Sequence, residues 1–174
     1  MELLKRNIHM DRIRVQAVTQ FTLEDDVNIP ENKPDVAALN LEKGELVIDE
    51  IRPGTDAVTG RGRLSFVTLY HTMEEGSSLV VLEGRMPFEE RINMQGVVPS
   101  DTVAVDGEVE DLSVNMINSR KLGIQSLITL TARVEELYDE EVPIAVHGDE
   151  KVEYRRMPLE LAQIAIAKNA IYRL

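Results

Sequence analysis

The sequence predicts an all-β fold: an antiparallel β-sandwich or partly closed barrel with long, bent strands and little helix. Three observations carry that prediction. Apolar and polar residues alternate with a period of two over most of the chain. Turn-forming residues punctuate the alternating runs. Several runs exceed the usual strand length of about 3–10 residues, and strands of that length bend and serve two sheets.

The first alternating run is Ile13, Val15, Ala17, Thr19, Phe21 and Leu23. A second comprises Val80, Leu82, Gly84, Met86 and Phe88, continued in phase by Ile92 and Met94. A third runs through Leu122, Ile124, Ser126, Ile128, Leu130, Ala132 and Val134. A fourth shows Val103, Val105 and Val109 and then changes phase to Leu112, Val114 and Met116. One extra residue near Asp111 produces that change, so a bulge is expected there. Turns are expected at Pro53-Gly54, Glu75-Gly76-Ser77, Pro99-Ser100-Asp101, Asn118-Ser119 and Gly148-Asp149. Gly62, Gly84, Gly107 and Gly123 fall inside strands, where a missing side chain permits a kink or bulge. The stretch "PDVAALNLEKGE" reads as one short helical turn after Pro34, stopped at Gly44. Finally, residues 164–174 overlay residues 13–23 at a constant offset, as though a second copy were beginning.

Composition narrows the function classes. The 174 residues suit one domain of ordinary size, and 43% apolar with 29% charged residues is a globular composition. The formal charge of −12 repels phosphate backbones, which argues against a nucleic-acid partner. Without cysteine there is no disulfide, thiolate nucleophile or thiolate metal site. The N-terminus lacks the apolar run of a signal peptide, and no stretch approaches the roughly 20 apolar residues of a membrane span. These features give the expectation of a soluble intracellular protein.

Catalytic and metal signals are weak. His9, His71 and His147 are far apart in sequence, whereas a metal site needs three or four convergent ligands. Acidic clusters such as Glu24-Asp25-Asp26 and Asp139-Glu140-Glu141 suit solvated strand ends. Calcium or glycan binding is the alternative, but no calcium loop is present and aromatics are only 4%. No cofactor is expected. The loop "NIPENKPDV" carries Pro30 and Pro34, which fix φ, withdraw backbone donors and push Ile29 and Lys33 towards extended geometry. It reads as a rigid connector between sheets, with docking of a partner as the sharper alternative.

Three segments, "QFTLEDDVNIPENKPDV", "EGRMPFEERINMQG" and "MINSRKLGIQSLITLTARVEELYDEE", together resemble the SPOCS domain of SipL-like spore-coat morphogenetic proteins. The resemblance runs in order across nearly the whole chain. It implies a first SPOCS copy over 1–158 and the opening strand of a second over 159–174, without the LysM module that engages the basal coat ATPase scaffold. It further implies a non-enzymatic scaffold in the mother-cell cytoplasm, at the forespore surface. The partners implied are other coat proteins, with self-association through an exposed edge as a further expectation. Pro30, Asn32, Lys33 and Pro34 fill the family's P-x-x-K-P-like loop, and Asn118, Arg120 and Lys121 its INSRKL turn. These seven residues are the candidate protein-interaction site.

Overall fold

The computed structural model describes residues 2–73, 76, 78–147, 153, 155, 157–158 and 160. Six strands follow in order: β1 (Glu2–Asn28), β2 (Val36–Pro53), β3 (Ala57–Thr72), β4 (Leu79–Asn93), β5 (Val103–Asn118) and β6 (Lys121–His147). They form two antiparallel sheets, ordered β1-β6-β5 and β2-β3-β4, with no helix among the described residues. The fold is therefore all-β, as expected, and the barrel is not closed.

The chain divides into two compact units, one of Met1–Ile8 with Glu140–Leu174 and one of His9–Asp139. Within the first, Lys5 pairs with Glu141 at 2.7 Å. The second holds the sandwich. The expected repeat at 164–174 and the expected turn at Gly148-Asp149 lie outside the described residues.

The alternation places the core. Every second residue of β6 from Leu122 to Val134 is buried, and so is every second residue of β3 from Val58 to Thr72. Two apolar clusters bridge the sheets. One joins Leu64, Phe66, Tyr70 and Met86 to Val114, Leu122 and Ile124. The other joins Val58, Phe88 and Ile92 to Ile128, Leu130 and Val134. In β5 the ladder skips a register between Val109 and Asp111, leaving Glu110 unpaired. That is the bulge which the phase change predicts, although Met116 beyond it is 46% exposed.

Two local expectations differ. The segment after Pro34 is strand β2, not a helical turn, and Gly44 is a mid-strand residue paired with Phe66. Register shifts between Val36 and Ala38 and between Leu39 and Leu41 break the period of two there. Pairing with β3 and burial of Leu39 against the core override the helical propensity of the Ala-Ala-Leu run. Gly84 is neither a kink nor a bulge, since the β3–β4 ladder runs regularly through it. Its cross-strand partner Phe66 lays its ring over the vacancy, so an added Cβ would lie 2.2 Å from Phe66 Cζ.

At one end of the sandwich, the β2–β3 turn and the β4–β5 connection lock together. Asp56 holds φ at 54° and accepts the Gly96 N–H at 2.7 Å through its carboxylate. Backbone bonds from Met94 N to Asp56 O and from Asp56 N to Val97 O complete the lock. Asp101 takes the Val98 N–H and pairs with Arg14 of β1. The opposite end is built differently, and it holds the candidate residues.

Candidate functional site

Between β1 and β2 the chain crosses from one sheet to the other through residues 29–35. Proline at positions 30 and 34 removes two donors, while the carbonyls of this segment still need partners. The β5–β6 turn supplies them. Arg120 Nη1 donates to Lys33 O at 2.7 Å and to Asp35 Oδ1 at 3.0 Å. Its Nη2 donates to Ile29 O at 3.1 Å and Pro30 O at 2.9 Å. One planar guanidinium thus collects the crossover, a task that suits its fixed fork of donors.

Backbone bonds run alongside. Ile29 N donates to Arg120 O at 2.8 Å, and Val36 N to Ser119 O at 2.9 Å. Ser119 Oγ donates to Asp35 Oδ2 at 2.9 Å, so the Asp35 carboxylate is held on both oxygens. Asn118 Oδ1 accepts the Arg120 N–H at 2.9 Å and shapes the turn that aims the arginine. Lys33 N donates to Pro30 O at 2.9 Å, closing a turn within the loop.

Two contacts tie this clasp to the sheets. Tyr70, buried in the core, donates its hydroxyl to Pro34 O at 3.0 Å. Burial raises the Tyr70 phenol above its ordinary value; the Arg120 guanidinium opposes the rise and the Asp35 carboxylate adds to it. Lys33 Nζ donates to Val81 O at 2.8 Å, on the outermost strand of its sheet.

The two candidate motifs, distant in sequence, therefore meet at one end of the sandwich. Lys33, Pro34 and Arg120 are half-buried and engaged, whereas Pro30, Asn32 and Asn118 keep exposed side chains. Lys121 turns away from the loop and pairs with Asp26 at 2.7 Å. Sequence reasoning missed Asp35, Ser119 and Tyr70. The signal available for Asp35 was a carboxylate directly after a proline-bounded loop; Tyr70 offered none beyond its place in an alternating strand.

Residues 35–117 match the family described as SipL, SPOCS domain. That segment is similar to the SPOCS domain. This family is one of sporulation-related proteins. No curated protein and no solved structure matches the chain. The matched span covers just under half of the chain, and of the three resembling segments only "EGRMPFEERINMQG" lies wholly inside it. The span opens at Asp35 and closes at Ile117, beside the residues that the clasp joins. In the folded chain, the two ends of the family-matched segment are thus held against each other.

The Glu24-Asp25-Asp26 cluster borders an open cleft of about 460 Å³ with Asn115, Gly123, Ile124 and Gln125. Its acids are engaged within the chain: Glu24 accepts from Gln125 at 2.6 Å, and Asp26 holds Lys121. No group of three or more metal-ligating side chains converges among the described residues, and none of them forms a helix able to cross a membrane.

Proposed function

We propose that this chain is a non-enzymatic structural and interaction module of the spore envelope, holding coat proteins together around the forespore in the mother-cell cytoplasm. The SPOCS match supports this reading. The observation that carries it is the clasp, in which Arg120 spends its donors on Ile29, Pro30, Lys33 and Asp35. Those interactions fix a rigid Pro30–Asn32 tip that remains exposed, which is pre-organisation suited to docking.

A fluorescent fusion of the chain, expressed in sporulating cells, tests the proposal. A ring at the forespore surface is expected, together with its loss when Glu31 and Asn32 at the tip are replaced by alanine. Diffuse mother-cell fluorescence from the unaltered chain would overturn it.

A further inference from the structure

The outer face of the β2-β3-β4 sheet changes character along its length. Towards the β2–β3 turn most of its charges are paired within the chain, with Arg61 on Glu89 and Arg63 on Asp49, while exposed Arg91 forms no ion pair among the described residues. Towards the clasp apolar residues dominate the face, beside the Asn40–His71 hydrogen bond. Leu41, Leu69 and Val81 form one cross-strand row, flanked by Val67 and Leu79 in the neighbouring rows. Leu41 is 55% exposed, Leu79 54%, Val81 43% and Val67 38%. A contiguous apolar patch crossing all three strands is the kind of surface that proteins cover.

The charges bordering this patch point to what covers it. The next row reads Lys43, Val67, Glu83, and the one after it Glu45, Ser65, Arg85. All four charged residues are exposed, and none forms an ion pair among the described residues. Their signs are opposite at the two sides of the sheet in both rows. A two-fold axis lying in the interface along β3 exchanges the β2 side of one copy with the β4 side of the other. Lys43 then faces Glu83, and Glu45 faces Arg85, while Leu69 meets its own counterpart at the centre. Facing sheets cross at about 30°, a misalignment that long charged side chains span.

We propose that this face binds a second copy of the same chain, forming an isologous dimer. The neighbouring edge is poorly suited to association. On β4, Pro87 has no N–H to offer and Lys33 occupies Val81 O, both devices that discourage strand addition. The patch spans three strands and about four rows, a few hundred Å² per copy against the roughly 800 Å² of a stable complex. The dimer is therefore weak and reversible, dissociating on the order of 100 μM. It is separate from the coat role: a forespore ring formed by a strictly monomeric chain would keep that role and remove the dimer.

Sedimentation equilibrium of the full chain, from about 10 μM to 1 mM at low salt, is the test. Wild type is expected to show a monomer–dimer equilibrium that weakens as salt rises. Lys43→Glu and Glu83→Lys should each weaken it roughly tenfold or more, although they move the net charge in opposite directions. An equimolar mixture of the two variants restores opposite charges on both sides, so it should dimerise as wild type does. Glu108→Lys, on the other sheet, should leave the dimer unchanged. A wild type that stays monomeric to 1 mM would overturn the proposal, as would single variants that dimerise normally or a mixture that stays monomeric.

Discussion

Arg120 shows how much of this architecture one side chain carries. Its guanidinium donates to three backbone carbonyls and one carboxylate. Each such bond contributes of the order of 1 kcal/mol, and water reaches part of the site, so Arg120→Ala should cost about 2–3 kcal/mol. Arg120→Lys should recover less than half of that, since an ammonium cannot span the fork of acceptors. Urea unfolding of the three proteins measures both; a loss under about 0.5 kcal/mol for alanine would show that the crossover holds itself. Tyr70 reports on the same clasp through pH. Its phenol stands above the ordinary 10.0 because it is buried, so the folded state retains the proton longer than the unfolded chain. Stability is complete below pH 10.0 and falls as pH rises from there towards the folded value. Tyr70→Phe should cost about 1 kcal/mol at neutral pH, by leaving Pro34 O without its donor, and should flatten the alkaline decline. Melting temperatures at pH 8 and pH 11 separate the two effects, and an unchanged decline in the variant would assign it to other groups. This residue-scale chemistry was the least legible in the sequence. Arg120 and the carbonyls it collects are joined only by folding, and no local pattern announces a pairing across that separation.

Elements were legible where a strand keeps one phase and obscure where it does not. Leu122 to Val134 on β6 alternate without a break, and Leu82 to Met94 from β4 onward keep one phase with Gly84 and Glu90 half-buried on it, so the buried faces are the ones that alternation predicts. Strand β2 carries register shifts next to Ala38 and Leu41, so its outward and inward residues do not alternate, and its Ala-Ala-Leu run imitates a helix. A phase change within an otherwise regular strand was readable, because a bulge leaves a clear trace of two half-patterns. The β5 bulge also gives a sharp test. Glu110 is the residue with no partner, and Asp111 resumes pairing with Leu127. Deleting Glu110 leaves Val109, Leu112 and Val114 on the same inward phase and closes the ladder, so the fold should survive at a cost of about 1–2 kcal/mol for the lost bend. Deleting Ser113 forces either Val114 outward or Asp111 inward. That variant should lose more than about 3 kcal/mol, or fail to fold. Circular dichroism and thermal melts of the two deletions compare them directly, and equal destabilisation would mean that the bulge does not set the phase.

At the scale of the molecule, the order β1-β6-β5 brings the start of the chain beside its later part, so the sandwich closes only when distant segments pair. The ion pair of Arg12 with Glu136 and the bond from Gln20 Nε2 to Thr129 Oγ1 at 3.2 Å mark that antiparallel seam. Among the described residues, every buried one lies between Ile29 and Val134, inside the compact unit His9–Asp139. Strand β1 adds partly buried Val15, Phe21, Leu23 and Val27 against the same core. A chain cut to His9–Asp139 therefore keeps both buried clusters of the described residues, both crossovers and the clasp. Among the described side chains, the cut removes the exposed Lys5–Glu141 pair, whose contribution lies within about 1 kcal/mol. For a domain of this size, that corresponds to a shift in Tm of about 2–6 °C at most. The shortened chain should melt in one cooperative step inside that range, with unchanged strand content by circular dichroism. A broadened transition, or a drop beyond about 10 °C, would show that the terminal segments stabilise the sandwich directly, and that β1 needs its full length to hold the seam with β6.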